Sequence, residues 1–599
     1  MRTCTLLAAS IVLLLARNAC AATDAQAVLS ANKAATGMRS DDRMVLQTES
    51  QLSGPGFNGF DISTVDLKDG RSVSNDTLGA ETNAHGYNGS QAWEQDDSGT
   101  VTVENGGDAL PLAINTAYRN ANLWWRPDFG GASIVLDPGK TEAGETYDVV
   151  TVTPKNGKPF DAWFDATTHL LARTIEKRGP QTVTVTMSDY RKLDGVQIPY
   201  KVVVDPGNGA DALQTADLLK VEFAATQPDS VYAPPKAAVT DFSMPPKIYW
   251  TPVPFKLYNN HMYANVAVNG HEPLQFIFDT GGHNVLTPAT AAELGLKVEG
   301  ATTKVDALQI ADASLNHQVF GVRDLMPQNV EGTEINGMIG FDVFKHFVTR
   351  IDYGRKRFIL IDPKAFMQVD LGTPVKFVLD GNLPVVEGTF EGIPAKFHVD
   401  AGAGDELRLT GPFVEANGLR AKHPKGIEAV DGWGIGGATR DYMTRASEVT
   451  IGPLSFTDVV TSLPLQQEGA PSGASVQGNI GSGLLKRFIV TFDYGNQVMY
   501  LNPIKGQVDV GTYDRAGMWF NMVKDGAEVM DVTANGPAQA SGIKVGDIIT
   551  AVDGHPMSEV IVPIMRRNLR EMNEGTVVTF TIKQGAATHD VKVTLRNQI

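Results

Sequence analysis

Two segments of the chain, one ending near Asp279 and the other near Asp400, repeat the same order of features. Each contains a strand, a glycine turn, a second apolar strand and then Asp-x-Gly. The match continues downstream, where Gly340 is followed by Ile-Asp-Tyr-Gly and Gly481 by Phe-Asp-Tyr-Gly. A period of about 120 residues is too long for one unit of a solenoid and predicts two similar half-domains.

Both aspartates end a buried apolar strand, where an unpaired carboxylate is costly, and both recur at matching positions. Each half also has an Ile-Gly pair, at Ile339-Gly340 and at Ile480-Gly481. This pattern resembles pepsin-like and retropepsin-like aspartic proteases, whose two halves each supply one aspartate at the end of a strand. The resemblance covers roughly residues 252–503.

The resemblance implies that Asp279 and Asp400 form a catalytic pair. Two adjacent carboxyls cannot both ionise, so they share one proton, and one serves as base while the other serves as acid. The sequence does not say which aspartate is the base. In this family a water activated by the pair attacks the peptide carbonyl, without a covalent enzyme intermediate.

Three further residues belong to the predicted active-site loops. Gly281 and Gly402 permit the tight backbone turns after the aspartates. The resemblance implies that the hydroxyl of Thr280 braces the opposite loop. Ala401 occupies the matching position and has no hydroxyl, so we expect half of this brace to be absent. That departure keeps a catalytically weak or inactive relative as an alternative.

A glycine-rich segment between Asp400 and Gly481 resembles the flap tip of retropepsins. A flap is a mobile hairpin that covers the substrate and excludes water. The predicted flap residues are Trp433, Gly434, Ile435 and Gly436. The alternative is an ordinary glycine-rich turn whose tryptophan packs on the core.

The last ninety or so residues contain the series Gly-Pro-Ala, Gly-Ile and Gly-Asp-Ile-Ile, starting at Gly536. This series resembles the PDZ domains that accompany bacterial proteases. The resemblance implies that a loop binds the C-terminal carboxylate of a peptide beside an open strand edge. The residues of that loop are Gly517, Met518, Trp519 and Phe520. A purely structural or regulatory contact is the alternative.

The first third of the chain is polar, with short alternating runs separated by Asn-Gly and Asp-Gly turns. Such patterning predicts antiparallel hairpins. The order of strands and turns resembles the curved-sheet domain of outer-membrane lipoprotein carriers. The resemblance implies that an acyl chain or a lipoprotein binds the concave face, and a scaffold or docking domain is the alternative.

The N-terminus has the features of a secretory signal peptide. Arg2 precedes an apolar run, and Ala19-Cys20-Ala21 forms a small-residue cleavage site. We therefore expect an exported protein, periplasmic or secreted, with no transmembrane helix in the mature chain. Cleavage would remove both cysteines, and the eleven histidines show no metal-ligand spacing, so no metal and no cofactor are expected. A net charge of -17 disfavours nucleic acid as a partner.

The sequence thus predicts a mainly β multidomain protein: an N-terminal curved antiparallel half-barrel, a central bilobal pepsin- or retropepsin-like all-β domain and a C-terminal PDZ domain of the α+β class. The predicted boundaries are 1–21 for the signal peptide, 22–226 for the carrier-like sheet, 227–250 for a proline-rich linker, 251–505 for the protease with pseudo-repeats 251–365 and 374–505, and 510–599 for the PDZ domain.

The predicted function is an exported aspartic endopeptidase that acts on polypeptides, with a PDZ module for peptide capture or positioning. The alternative is a catalytically weak or inactive periplasmic binding protein for polypeptide or lipoprotein. Serine hydrolysis is less favoured, because the chain contains no G-x-S-x-G motif.

Overall fold

The computed structural model describes residues 24–38, 45–55, 57–104, 106–126, 131–178, 181–207, 212–236, 241–325, 328–434, 437–465, 476–506, 511–585 and 587–599. The predicted signal peptide lies outside the described residues. The fold is mainly β and multidomain, as the sequence predicts. Among the described residues, none of the helices has the length and apolarity needed to cross a membrane.

The N-terminal unit is one antiparallel sheet with two helices, α1 (Ala25–Thr36) and α2 (Ala109–Asn120). Its strands are β1 (Val45–Gly54), β2 (Phe57–Asp66), β3 (Ser72–Leu78), β4 (Glu81–Tyr87), β5 (Ala92–Gln95), β6 (Val101–Glu104), β7 (Ser133–Glu142), β8 (Glu145–Thr153), β9 (Phe160–Asp165), β10 (Leu171–Arg178), β11 (Gln181–Leu193), β12 (Val196–Asp205) and β13 (Gln214–Ala224). They lie in the order β6-β5-β4-β3-β2-β1-β13-β12-β11-β10-β9-β8-β7.

Helix α1 begins and ends where its sequence supplies caps. The Asp24 carboxylate accepts a hydrogen bond from the amide of Ala27 at 2.7 Å, and Gly37 ends the helix with a φ of 71°. Residues of both helices form one buried cluster with Trp124 and Phe160. This apolar cluster is the core of the N-terminal unit.

The segment predicted as a linker packs against its neighbours over part of its length. Tyr232 is fully buried, and its carbonyl accepts a hydrogen bond from the indole nitrogen of Trp93 at 2.8 Å. The guanidinium of Arg71 lies 4.8 Å from the centre of the Tyr232 ring. Further on, strand β14 (Phe242–Ser243) joins the sheet of the first protease half. The described parts of the predicted linker are therefore held against neighbouring units at Tyr232 and at β14.

The first half of the central domain follows. Its strands after β14 are β15 (Trp250–Pro254), β16 (Lys256–Tyr258), β17 (His261–Val268), β18 (Leu274–Phe278), β19 (Val285–Leu286), β20 (Val298–Glu299), β21 (Thr302–Ile310), β22 (Ala313–Val322), β23 (Gly337–Ile339), β24 (Val348–Asp352) and β25 (Arg357–Ile361). Its helices are α3 (Pro288–Glu293), α4 (Gln328–Glu331) and α5 (Phe341–Phe344).

The second half has the strands β26 (Thr373–Lys376), β27 (Val378–Asp380), β28 (Leu383–Phe390), β29 (Ile393–Asp400), β30 (Leu407–Leu409), β31 (Ile427–Gly434), β32 (Gly437–Ala446), β33 (Val449–Ile451), β34 (Leu454–Phe456), β35 (Val459–Pro464), β36 (Gly478–Gly481), β37 (Phe488–Asp493) and β38 (Val498–Pro503). Its helices are α6 (Gly411–Ala416), α7 (Leu419–Lys422) and α8 (Ser482–Leu485).

The two halves have the same local topology around their aspartates. In the first half, β18 pairs in parallel with β23, which also pairs antiparallel with β19. In the second half, β29 pairs in parallel with β36, which also pairs antiparallel with β30. The internal repeat in the sequence thus corresponds to a repeated arrangement of strands.

A shared sheet joins the halves in the order β15-β25-β24-β37-β38-β26. At its centre Arg350 lies opposite Thr491, and these residues occupy the same position of the repeat. On either side the partners exchange, so that the opposed pairs are Val348 with Asp493 and Asp352 with Ile489. This register is that of a local twofold axis, and it brings the two Asp-x-Gly loops to face each other.

The PDZ unit contains β39 (Met518–Val523), β40 (Gly526–Val532), α9 (Pro537–Ala540), β41 (Ile548–Val552), β42 (His555–Pro556), α10 (Val562–Glu571), β43 (Val577–Gln584) and β44 (Ala587–Thr594). Its strands lie in the order β39-β40-β41-β43-β44, with β42 beside β41. Strand β39 therefore lies at an edge of the described sheet.

One continuous hydrophobic core serves both protease halves, and Phe358 on β25 lies within it. The Phe358 ring is fully buried and stands 4.6 Å from the centre of the Phe278 ring, which immediately precedes Asp279. Packing of the first catalytic strand therefore depends on the central sheet.

We predict that Phe358→Ala lowers the free energy of unfolding of the protease domain by about 3–5 kcal/mol, because it empties a buried aromatic site. The matched control is Trp250→Ala on the neighbouring strand, since the Trp250 side chain is exposed. Urea unfolding followed by circular dichroism measures both. Equal, small losses in the two variants would contradict this account of the core.

Candidate active site

Asp279 and Asp400 lie at the ends of buried strands, as the sequence predicts. Phe278 and Val399, the residues before them, are completely buried. The amide of Asp279 donates to the carbonyl of Ile339 at 3.0 Å, and Asp400 pairs with Gly481 on the parallel strand. The parallel strand of each half therefore holds the aspartate backbone in place.

The structure brings the two side chains together. A Cβ atom added to Gly402 would lie 2.2 Å from Cγ of Asp279, and one added to Gly281 would lie 3.5 Å from Cγ of Asp400. Each carboxyl thus lies against the glycine of the opposite loop. The proximity of Asp279 raises the pKa of Asp400.

Backbone amides hold both carboxylates in position. Asp279 Oδ1 accepts hydrogen bonds from the amides of Gly281 at 2.8 Å and Gly282 at 2.9 Å. Asp400 Oδ1 accepts one from the amide of Gly402 at 2.7 Å. These bonds fix the orientation of each carboxyl within its tight loop.

The protonation of the pair follows from its surroundings. Burial raises the pKa of Asp400 well above its ordinary value, and the adjacent Asp279 raises it further. The Gly402 amide and the positive charge of His261 act in the opposite direction. The net shift favours the protonated form of Asp400, as expected of two adjacent carboxyls that share one proton.

The hydrogen bonds between the two Asp-x-Gly loops agree in part with the sequence prediction. The hydroxyl of Thr280 accepts a hydrogen bond from the amide of Ala401 at 2.9 Å, and both residues are fully buried. Ala401 offers no hydroxyl in return. Its carbonyl instead accepts a hydrogen bond from Ser482 Oγ at 2.5 Å. The Tyr353 hydroxyl lies 3.1 Å from that Oγ and acts as donor to it, since the serine proton is already committed.

A second tyrosine serves the other loop. The Tyr494 hydroxyl donates to the carbonyl of Thr280 at 3.4 Å. Tyr353 and Tyr494 are the tyrosines of the repeated Asp-Tyr-Gly motifs, at equivalent positions of the two halves. Sequence reasoning noted these tyrosines only as part of the repeat. The signal for their role was the recurrence of a hydroxyl-bearing residue beside the central sheet.

His261 and Glu331 were missed at the sequence level. His261 begins β17, and its Nδ1 lies 3.3 Å from Oε1 of Glu331 in α4. The atoms are not aligned as a hydrogen bond, so the contact is an ion pair. The positive charge of His261 lowers the pKa of Asp400, and the negative charge of Asp279 raises the pKa of His261. A third titratable group therefore belongs to the catalytic cleft.

The other two histidines near the aspartates in the sequence are engaged elsewhere. His398 Nε2 lies 3.0 Å from Oδ2 of Asp380. His283 Nδ1 lies 3.2 Å from Oδ1 of Asp342. Neither was assigned a catalytic role from the sequence, and neither contacts the two catalytic carboxyls through these bonds.

The predicted flap belongs to the hairpin of β31 and β32. Gly432 pairs with Thr439 and Trp433 pairs with Ala438, while Ile435 and Gly436 lie outside the described residues. The corresponding hairpin of the first half is β20 with the start of β21, and its ladder has two residue pairs. The longer hairpin of the second half is the one that reaches the catalytic side of the cleft.

A cavity of about 230 Å³ lies beside the catalytic loop, and its walls come from three parts of the chain. The first half contributes His261, the flap hairpin contributes Trp433, and the PDZ unit contributes Trp519. Asp431 lines the cavity as well, and burial raises its pKa to about 8 even though Arg408 lies 3.6 Å away. The cavity is therefore partly polar and lies next to the loop that follows Asp400.

The predicted peptide-binding loop of the PDZ unit is engaged by its own chain. The Asp514 carboxylate accepts hydrogen bonds from the amides of Gly517 at 2.5 Å and Met518 at 3.2 Å. The carbonyl of Phe520 accepts a hydrogen bond from Arg566 of α10 at 2.5 Å. The ring of Trp519 lies 4.7 Å from the Arg566 guanidinium carbon. A peptide that bound at these positions would compete with these internal contacts.

Within the described part of the chain, no cluster of three or more His, Cys, Asp or Glu side chains is arranged to hold a metal ion. The acidic groups of the cleft are instead paired with each other, with amides, or with arginine and histidine.

Comparisons with known proteins agree with the geometry of the site. The aspartyl protease family model matches residues 264–343, which include Asp279. The PDZ domain model matches residues 516–595. No curated protein matches the chain.

Several solved structures are similar to parts of the chain. An aspartic proteinase from Irpex lacteus is 12% identical, with a TM-score of 0.31, over 44% of this chain and 99% of its own. A retropepsin-like aspartic protease from Rickettsia conorii is 21% identical, with a TM-score of 0.15, over 20% of this chain and 93% of its own. A LolA superfamily protein from Nitrosomonas europaea is 14% identical, with a TM-score of 0.28, over 35% of this chain and 98% of its own.

The two predicted resemblances that the family models test are confirmed. The chain contains a retropepsin-like aspartyl protease segment and a PDZ domain.

Proposed function

We propose that this protein is an exported aspartic endopeptidase that hydrolyses peptide bonds with a water molecule activated by Asp279 and Asp400. The observation that carries the proposal is the close approach of the two carboxyls, each lying against the glycine of the opposite loop. Two acids in contact are costly to bury, and a shared proton gives them both an acid and a base function.

The pair holds one proton between its two carboxyls. The ionised carboxyl removes a proton from water, whose oxygen forms a bond to the carbonyl carbon. The protonated carboxyl donates its proton to the carbonyl oxygen, and a tetrahedral diol results. The diol then collapses: the C–N bond breaks, a diol proton returns to the aspartates, and the leaving nitrogen takes up a proton.

The flap hairpin serves this reaction by covering the substrate. Gly432 and Trp433 stand beside the cavity next to the catalytic loop, so closure would exclude bulk water from the tetrahedral intermediate. Gly434 is the last residue of β31, and Ile435 and Gly436, the other residues of the predicted flap, lie outside the described residues. Polypeptide in extended form is the substrate class that such a cleft accepts.

The alternative, a binding protein without turnover, rests on the missing hydroxyl at Ala401. Ser482 and Tyr353 provide hydrogen bonds to the same loop, which favours catalysis over that alternative. Binding of an acyl chain or a lipoprotein by the N-terminal sheet stays a prediction. Exposed Phe60 and Ile62, which point to the same face of β2, are the apolar side chains that would contact such a ligand.

We predict that Asp279→Asn and Asp400→Asn each reduce cleavage of unfolded casein by at least about a hundredfold, because each removes the acid or the base. Mass spectrometry of the released peptides measures the rate. Asp306→Asn, at an exposed carboxylate of β21, is the matched control and keeps full activity. Undiminished cleavage by either catalytic variant would remove that residue from the mechanism.

The pH profile gives a second prediction. The pair must hold one proton, so activity is lost at low pH when both carboxyls are protonated and at high pH when the second proton leaves. Burial and the proximity of the two carboxyls raise the pKa of Asp400, so cleavage should persist to a higher pH than an ordinary carboxyl would allow. Initial rates measured from pH 3 to pH 9 test this. A fall in activity as the pH rises through about 4 would contradict the raised pKa.

The hydroxyl chain on the Ala401 loop gives a third prediction. Ser482→Ala leaves a buried carbonyl and a buried tyrosine hydroxyl without their partner, so we expect a loss of about 1–3 kcal/mol in unfolding free energy together with a lower kcat. Ser455→Ala is the control, since that serine is exposed in the same half. If Ser482→Ala and Ser455→Ala both have the unfolding free energy and kcat of the unsubstituted protein, the Ala401 loop does not depend on these hydroxyl hydrogen bonds.

A further inference from the structure

His261 connects the first half of the protease to the catalytic loop of the second half. A Cβ atom added to Gly404 would lie 3.3 Å from Nε2 of His261, so the ring packs on the loop that follows Asp400. The neighbouring Asn260 donates a hydrogen bond to the carbonyl of Gly404 at 2.7 Å. The His261 side chain is only 12% exposed. The imidazole is thus fixed beside the catalytic pair and is not a surface histidine.

Glu331 holds the charge of this imidazole. Its carboxylate is buried and accepts hydrogen bonds from the Tyr263 hydroxyl at 2.6 Å and from Asn259 Nδ2 at 3.1 Å. Burial opposes its ionisation, but the charge of His261 and these hydrogen bonds lower the pKa of Glu331 to about 2. Burial likewise opposes the charge of His261, and Glu331 overcomes this and raises the pKa of His261. The pair is therefore ionised.

The charges around His261 come from several elements. Besides Glu331, the carboxyls of Asp279 and Asp405 raise the pKa of His261. The positive charge of His261 in turn lowers the pKa of Asp400. The adjoining cavity is also lined by Asp431, Arg408, Arg566 and Arg570. Three of these four are cations, so the imidazolium needs the nearby carboxylates to remain charged.

The PDZ unit contacts the segment that carries Glu331. Arg566 of α10 donates one hydrogen bond to the carbonyl of Val330 and another to the carbonyl of Phe520 on β39, both at 2.5 Å. A Cβ atom added to Gly332 would lie 2.8 Å from Cβ of Val562, the first residue of α10. The segment 330–332 therefore lies against the groove between β39 and α10, where a PDZ domain binds extended peptides.

We propose that the Glu331–His261 pair is a positioning element of the catalytic cleft and that the PDZ unit keeps it in place by holding the segment 330–332. The proposal rests on the proposed protease function. The imidazolium stabilises the singly ionised aspartate pair, which is the reactive form. A polypeptide that enters the PDZ groove must displace the segment, so peptide binding there is linked to the protonation of the catalytic pair.

The first test is the pH profile of kcat/KM for a peptide that the unsubstituted protein cleaves. The acidic limb marks the loss of one proton from the aspartate pair, and a nearby positive charge lowers that pKa. His261→Asn and Glu331→Gln should therefore move the acidic limb upward by about one pH unit. His271→Asn, at an exposed turn, is the matched control and leaves the limb in place. An unmoved limb in His261→Asn overturns the proposal.

The second test addresses the PDZ contact in the full chain. Arg566→Gln should shift the acidic limb in the same direction and should speed amide hydrogen exchange in residues 328–332. Arg566→Lys should restore part of both effects. Arg567→Gln, a more exposed position of the same helix, is the control. Faster exchange without any shift of the limb would show that the contact is only structural, and the link to the catalytic pair would be wrong.

The two proposals fail in different ways. Full activity of Asp279→Asn would end the proposed function, whatever the behaviour of His261. If both aspartate variants lose activity, but substitutions of His261, Glu331 and Arg566 leave the acidic limb in place, the proposed protease function stands. The proposed positioning element would then be wrong.

Discussion

The contact between two carboxyl groups, each lying against a glycine of the opposite loop, is the constraint on which the rest of the structure depends. Any side chain at Gly402 would overlap Asp279. The two loops can approach this closely only because β24 and β37 place the halves about a local twofold axis. One shared apolar core then fixes that arrangement, so the catalytic geometry is a property of the whole domain.

Burying two adjacent acids destabilises a fold unless each finds partners. Backbone amides of the glycine loops supply hydrogen bonds to both carboxyls, and Thr280 ties one loop to the other. Where the second cross-loop hydroxyl is missing, Ser482 and Tyr353 bind the loop from the side of the central sheet. The resemblance to aspartic proteases pointed to Thr280, but it did not point to Ser482 or Tyr353.

The features that correspond to a recognisable pattern in the sequence could be predicted from it. The repeat predicted two half-domains, the Asp-x-Gly motifs predicted the pair, and the glycine series predicted the PDZ domain. It was insufficient for contacts between distant segments. Glu331 stands in a polar stretch that reads as a solvent-exposed turn, and only the packing of Tyr263, Asn259 and His261 around it makes it a buried anion. The hydrogen bond from Arg566 to the carbonyl of Val330 likewise joins residues that lie far apart in the sequence.

The PDZ unit packs against the segment that carries Glu331. The same helix that borders the peptide groove holds the segment next to the catalytic cleft, through Arg566. Trp519 of that unit lines the cavity beside the loop that follows Asp400. The central domain and the PDZ domain therefore contribute side chains to one cavity.

Infrared difference spectroscopy of the aspartate carboxyls, recorded against pH for the full chain and for Asp400→Asn, tests the central claim most directly. The account requires that the two groups titrate as one coupled pair, in two widely separated steps, with the later step well above the range of an ordinary carboxyl. Two independent carboxyls that both titrate near their ordinary values would contradict it.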